Sequence, residues 1–336
     1  MKRTKFTATG VNLGGWLILE KWLTPSVFKG FDVEDEWGMS QTKAGRKRIA
    51  AHRKAFLVEG DFMWLRDHAV KFVRLPVPYW AVIESDEYVS ARKEVAWAMK
   101  MAEKYNLKVL LDLHAVPGGQ NNGDHSGKKG QMEWFGNEVF QEQTVAILKQ
   151  LAERYKDSPA LWGIEIMNEP ESKGNVLELR AFYKRAYKEL RQIIRPGTYT
   201  IFHDGFRPFL FTGSVWSKRH YPVAMDIHWY GFTFDSAKNL DVYLHYSKWL
   251  RVIMAGLLRL GQSLVIGEWS TVLPQRLFDA QPTSKHMKML EQNAAMQQKA
   301  YRLAICTMYW NYKAEGDGMW NFRSLVEKGV IRKKDS

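Results

Sequence analysis

Short apolar runs recur along the whole chain, and most are followed by longer stretches in which apolar positions return at helical spacing. The runs predict strands over Thr7–Asn12, Val70–Leu75, Leu107–His114, Leu161–Asn168, Thr198–His203, Val223–His228, Ser263–Glu268 and Ala304–Asn311. The stretches between them predict helices, among them Glu94–Tyr105, Asn137–Tyr155, Leu177–Ile194 and Leu240–Leu260. Eight strands with intervening helices specify an α/β fold, a single (β/α)8 TIM barrel rather than an open doubly wound sheet. A length of 336 residues suits one such barrel with decorated loops. No Pro- or Ser-rich linker and no internal repeat divides the chain, so residues 1–336 are expected to form one domain.

A barrel of this kind carries its chemistry at the C-terminal ends of its strands and in the loops just beyond. The informative residues fall there: Arg74, His114, Asn168, Glu169, His228, Tyr230, Glu268 and Trp310. Two of them are glutamates that close apolar runs. Asn168-Glu169-Pro170 ends the run from Leu161 to Met167, and Glu268 ends Leu264-Val265-Ile266-Gly267. Carboxylates at the ends of two buried strands are what retaining glycoside hydrolysis requires, one to protonate the leaving oxygen and one to attack the sugar carbon. Glu169 reads as the proton donor, whose pKa must be raised by burial or by a neighbouring carboxylate. A helix N-terminal glutamate favoured by the dipole is the competing reading, and the pairing with Glu268 decides against it. Glu268 reads as the nucleophile and must stay ionised. Asn168 is placed to hydrogen-bond the sugar hydroxyl next to the reacting carbon.

Arg74 is a charge at the end of a buried strand, costly unless paired, and Glu268 is its natural partner, with Tyr230 supplying a second hydrogen bond. His114 and His228 are expected to bond sugar hydroxyls or to orient the glutamates. No third ligand stands at zincin-type spacing, so neither a metal nor another cofactor is expected. Asp112 and Asp226 are assigned structural roles. The segment Pro117–Gly127 is rich in Gly and amides; it lacks the Lys and the following helix of a phosphate cradle, and amides suit hydroxyl-rich ligands. The 14 Trp, 14 Tyr and 17 Phe exceed what most cores use. Trp134, Phe135, Trp229, Phe232, Trp269, Trp310 and Trp320 flank strand ends as stacking platforms or core, with Trp269 and Trp310 assigned to the site.

The net charge of +13 is densest over Lys43–Lys54, read as a helix with a solvated basic face; no nucleic-acid motif accompanies it, so no nucleic-acid partner is expected. Cys306, alone and inside an apolar stretch, reads as a buried thiol. No run is long enough for a membrane span. The start shows no apolar signal core, which fits a cytoplasmic enzyme or a secreted one whose leader has been removed. A monomer is expected.

These residues resemble glycoside hydrolase family 5, most closely its exo-β-1,3-glucanase-like branch. The similar stretches are Gly10–Glu20 with Thr24-Pro25-Ser26, Val73-Arg74-Leu75-Pro76 with Tyr79-Trp80, Asp112-Leu113-His114 and Pro117-Gly118-Gly119-Gln120-Asn121. Asn168-Glu169-Pro170, His228-Trp229-Tyr230 and Gly267-Glu268-Trp269-Ser270 complete them. The resemblance implies a metal-free retaining β-glycosidase with Glu169 as acid/base and Glu268 as nucleophile. It also implies that Arg74, His114, Asn168, His228, Tyr230 and Trp310 line the subsite of the attacked sugar, and that Glu20 binds the non-reducing sugar. The segment after Glu268 is shorter than in the fungal exo-glucanases. The expected reaction is hydrolysis of β-glucosidic bonds in an oligo- or polysaccharide, foremost β-1,3-glucan. Other linkages (β-1,6 or β-1,4), a non-glucan aglycone, and a carbohydrate-binding protein without activity remain open at this point.

Overall fold

A computed structural model describes residues 8–230, 240–316 and 318–331; Thr7 and Phe232 lie outside the described residues. The apolar runs form eight strands: β1 (Ala8–Asn12), β2 (Phe72–Pro78), β3 (Lys108–Ala115), β4 (Leu161–Glu165), β5 (Tyr199–His203), β6 (Val223–Trp229), β7 (Leu264–Trp269) and β8 (Cys306–Tyr309). They pair in parallel and in chain order, and β1 closes on β8 with Ala8 opposite Cys306, completing a barrel. The major helices span Lys43–Phe56, Glu59–Asp67, Arg92–Lys104, Glu138–Tyr155, Val176–Leu190, Leu240–Arg259 and His286–Ala300. No described helix is long and apolar enough to cross a membrane.

Each strand is buried on both faces, and alternate residues face the helices or the barrel axis. On β3, Leu111 and Leu113 join the large core between sheet and helices, while Leu110, Asp112 and His114 point inward. At the bottom of the barrel Leu110, Ile201, Ala224, Val265, Met308 and Cys306 form an apolar plug, so the single thiol is buried as expected. Above that plug the axis becomes charged. The fold therefore supplies an apolar floor under one polar layer.

Strand ends depart from the pattern where a local feature overrides it. β2 begins at Phe72 and runs on through Pro76 to Pro78, so Arg74 sits in mid-strand rather than at its end. β4 stops at Glu165, three residues early, because the chain turns into Asn168-Glu169, where Glu169 takes a left-handed φ of 40°. The helix at Glu138 starts where predicted because the Asn137 side chain accepts from the Phe140 N–H at 3.2 Å, a side-chain N-cap.

The helix Lys43–Phe56 forms, and Lys43, Lys47, Arg48 and Lys54 are exposed on it as the basic face expected, while two of its arginines are braces. Arg53 is buried, paired with buried Glu36 at 2.5 Å and bonded to the carbonyls of Leu17, Val89 and Ser90. Arg46 reaches the carbonyls of Ser40, Asp86 and Tyr88.

Candidate active site

The centre of the polar layer is Arg74, fully buried. Its Nε donates to Glu165 at 2.8 Å, its Nη1 to Glu268 at 2.8 Å and Asn12 at 3.1 Å, and its Nη2 to Asn168 at 2.8 Å. Asp112 lies 3.0 Å from the same guanidinium and Asp226 3.9 Å. One cation on β2 thus fixes residues from β1, β3, β4, β6 and β7 at once, which a planar fork with five donors can do and a lysine cannot. Three of those carboxylates, Asp112, Glu165 and Asp226, share one buried charge. Burial above all, with the charges of Asp112 and Asp226 beside it, pushes Glu165 well above the carboxylate range despite Arg74.

Glu268 reaches this layer by a break in the strand pattern. Val265 and Gly267 face inward, so strict alternation would send Glu268 outward with Ile266. Register shifts between Asp226 and His228 on β6, and between Ile266 and Trp269 on β7, mark an irregularity that turns Glu268 in. Gly267 is required there: a Cβ on it would meet Asp226 Oδ2 at 1.8 Å. Glu268 then accepts from Arg74 at 2.8 Å and from the Tyr230 hydroxyl at 2.5 Å, two donors that hold its carboxylate in place.

Glu169 faces it across His228. The imidazole Nδ1 lies 2.6 Å from Glu169 Oε1 and 3.5 Å from Glu268 Oε2, so those oxygens are separated by no more than the two legs together, about 6.1 Å. Burial pushes Glu169 up, but the hydrogen bond and charge of His228, with His125 and His203 adding, win and hold it well below the usual range. His228 is the reverse: burial lowers it, and Glu268, Asp226 and Glu169 together raise it well above 6.5. The resting site therefore keeps its proton between His228 and Glu169, on the nitrogen side.

His114 holds Asp112 at 2.5 Å through Nδ1, leaving Nε2 to face the Asn168 amide at 3.4 Å. Burial lowers its pKa, so it is neutral. The Trp310 ring stacks parallel on it at 5.8 Å, and Gly14 makes room, since a Cβ there would lie 2.5 Å from that ring. Glu20 is buried, accepts from Trp22 Nε1 at 3.1 Å, and is raised well above 4.5 by burial and by the charges of Asp124, Glu268 and Glu169. It is thus a neutral carboxyl able to donate to a sugar hydroxyl.

Nine of the ten sequence-derived site residues converge. Trp269 does not: it is 1% exposed and packs edge-on against Tyr301 and Tyr309 behind the barrel wall. The residue after an inward Glu268 must point out, so Trp269 is core. Trp134 is likewise buried, its Nε1 bonded to Thr144. The amide loop also has a different task. Gln120 is fully buried and ties the carbonyls of His114 and Asn168, and Asn121 holds the carbonyl of Glu169, so these amides brace the strand ends. Asp112 and Asp226 keep their structural role, orienting His114 and His228.

Four residues at the site were not singled out from sequence. Glu165 is a charge inside an apolar run, the same signal that marks Arg74. His203 ends β5 as His114 and His228 near the ends of their strands, packs edge-on against His228 at 4.4 Å, and has a buried Nε2 with no partner. His125 stands 3.5 Å from Glu169. Trp22, 46% exposed, pairs with Trp320 at 4.8 Å, and Trp320 lies 5.6 Å from Tyr230, giving an aromatic edge to the mouth. Donor atoms of Glu169, His203 and His228 lie within 4.8 Å of one another; a cation there would have to displace the proton that His228 shares with Glu169.

A family model described as cellulase, glycosyl hydrolase family 5, matches residues 52–316. The probable glucan 1,3-beta-glucosidase A of Neosartorya fischeri is 37% identical over 78% of this chain, an alignment that takes in 64% of that relative's length. The protein of that name from Aspergillus fumigatus is 31% identical over 96% of this chain and 86% of its own. Glucan 1,3-beta-glucosidase 1 of Schizosaccharomyces pombe is 32% identical over 79% and 68%. Among solved structures, the rutinosidase from Aspergillus niger superposes with a TM-score of 0.82 at 17% identity, covering 99% of both chains. The endoglucanase Cel5A from Thermotoga maritima gives 0.62 at 19%, covering 98% and 97%. Those two likenesses are of fold. The family match covers most of the chain, including both glutamates of the pocket: the chain belongs to glycoside hydrolase family 5 and is a glycoside hydrolase.

Proposed function

We propose that this enzyme hydrolyses β-glucosidic bonds in β-1,3-glucan with retention of configuration, Glu268 as nucleophile and Glu169 as acid/base. The observation that carries the mechanism is the bridge of one imidazole nitrogen between the two glutamates. It keeps their nearest oxygens within about 6.1 Å, whereas inverting pairs stand roughly 6.5–9.5 Å apart to admit a water and retaining pairs about 5–5.5 Å. In the first step Glu268 Oε attacks the anomeric carbon while the proton shared by His228 and Glu169 passes from Glu169 to the leaving oxygen. The carboxylate left on Glu169 then deprotonates a water that releases the sugar. Arg74 and Tyr230 hold the nucleophile in line, the Asn168 amide faces the 2-hydroxyl, and Glu20 with the Trp22–Trp320 edge holds sugar hydroxyls and faces at the mouth. The preference for β-1,3-glucan is supported by the names of the fungal relatives.

Proton NMR of the first product tests retention: the β-anomer appearing before mutarotation is expected, and the α-anomer would overturn the mechanism. Product analysis on β-1,3-glucan, β-1,6-glucan, cello-oligosaccharides and aryl β-glucosides tests the substrate. Glucose or oligosaccharides released fastest from β-1,3-glucan, and not by Glu268→Ala, is the expected result. Turnover of aryl glucosides with none of any glucan would replace the glucan with a small-aglycone substrate.

A further inference from the structure

The outer surface between β5 and β7 carries an apolar face that the chemistry of the barrel does not use. On the helix Leu240–Arg259 and its end, Trp249, Val252 and Leu260 point outward, with Trp249 58% and Val252 61% exposed. Phe209, Leu210 and Trp216 from the β5–β6 connection stand exposed beside them. The Phe209 ring lies 3.7 Å from where a Cβ on Gly256 would be, and Trp216 lies 3.4 Å from the same point on Gly261, so the two groups form one face. Three residues before Phe209 in the chain, Phe206 is 59% exposed, and its ring centroid lies 4.9 Å from that of His203 on the wall of the catalytic pocket. Contiguous apolar surface of this kind marks an interaction site.

Charge decides the partner. Residues 205–220 and 248–263 contain no Asp or Glu, while Arg207, Lys218, Arg219, Lys248, Arg251 and Arg259 are all exposed. Pairing two copies of this face would set cation against cation, which disfavours a dimer. Exposed Trp, Phe and Leu interleaved with Lys and Arg, with no Asp or Glu in either of those two segments, is the composition that lies in the interface of an anionic bilayer. The rings enter the headgroup boundary and the cations meet lipid phosphate and carboxylate. We infer that the enzyme docks through this face onto an anionic lipid surface, which holds the pocket mouth beside the headgroups.

Vesicle co-sedimentation of the full chain tests this, with phosphatidylcholine alone or mixed with phosphatidylserine, at low and high salt. Wild type is expected to bind the mixed vesicles, to release at high salt and to leave phosphatidylcholine largely unbound. Each cation near such a surface is worth about fivefold in partition, so Lys248→Glu/Arg251→Glu should weaken binding more than tenfold. Phe209→Ser/Trp249→Ser should weaken it comparably at either salt. All four positions are exposed, so Tm and hydrolysis of a soluble aryl glucoside should match wild type and certify the fold. No binding to mixed vesicles would overturn the inference. So would binding that both double variants retain, or a dimer abolished by Phe209→Ser/Trp249→Ser with no lipid binding.

Discussion

Glu169 and His228 hold one proton between a depressed carboxylate and an elevated imidazole. Such a pair titrates as a unit, and the loss of its proton sets the alkaline limb of kcat/KM. In His228→Asn the hydrogen bond and charge that depress Glu169 are gone, while the burial that raises it remains. The proton then rests on a lone buried carboxyl, which releases it at lower pH than the elevated imidazole did. The alkaline limb of an aryl-glucoside pH profile should therefore move acidward and the plateau fall; an unmoved limb would mean that the proton never sat on this pair. Glu169→Ala should lose glucan hydrolysis yet keep a measurable rate on aryl glucosides with good leaving groups, which need no proton. Arg74 predicts a stability effect. Arg74→Met strands Glu268, Asp112 and Asp226 in the core, a loss of about 3–5 kcal/mol by the usual cost of breaking a buried pair. The cation is one of the charges that lower Glu165 and Asp226, so without it both rise, and the variant's stability is present at low pH and lost as pH rises through the raised values. Thermal melts at pH 4.5 and 7.5 should show a far larger deficit at 7.5. These residues were legible in the sequence because a charge closing or interrupting an apolar run has no cheap explanation but a partner. Glu165 carried the same signal. Trp22 carried none, since exposed aromatics in loops acquire meaning only when the fold brings them to a rim.

Strand type was easier to read than strand end. Continuous apolar runs announce strands buried on both faces, but the end is set by events a periodicity does not contain. Pro76 and Pro78 look like terminators, and β2 still runs through them into the pairing with β3 up to a shift at Val77. β7 hides the larger lesson: alternation alone puts Glu268 among the helices and Trp269 in the pocket, the reverse of what the irregularity at Ile266–Trp269 produces. Gly267 makes that irregularity possible by leaving space for Asp226, which accepts its N–H at 2.5 Å. Gly267→Ala would force the methyl against the Asp226 carboxylate and displace the partner of His228. A loss of about 1–3 kcal/mol in urea unfolding is expected from overpacking, together with a drop in kcat larger than any change in KM. Wild-type kcat in a destabilised Gly267→Ala would show that the bulge serves packing alone.

The closure of the barrel belongs to the molecule as a whole, and the sequence shows it only as a count of eight strands. In the structure it is sealed at one buried carboxylate far from the pocket. Asp61, in the helix Glu59–Asp67, accepts from the Val58 N–H, from the Tyr312 hydroxyl at 3.0 Å, from Lys313 at 2.9 Å and from Arg323 at 3.2 Å. It thereby clamps the segment that follows β8 to the first half of the chain. The clamped segment continues into the site: the Tyr312 N–H donates to the Asn12 carbonyl on β1, and the Asn12 side chain accepts from Arg74. Asp61→Ala removes the acceptor and leaves Tyr312 and two cations facing a void. Lys313 and Arg323 are partly exposed and can turn toward water, so the cost should fall near about 3 kcal/mol, the lower end for a broken buried pair. Because Asn12 on β1 ties the segment after β8 to Arg74, the weakened barrel should still unfold in one step, with far-UV circular dichroism and tryptophan fluorescence giving the same lowered midpoint. Two separated transitions in Asp61→Ala would show instead that the segment after β8 folds as a lid on an independently stable barrel, and that residues 1–336 are not one cooperative unit.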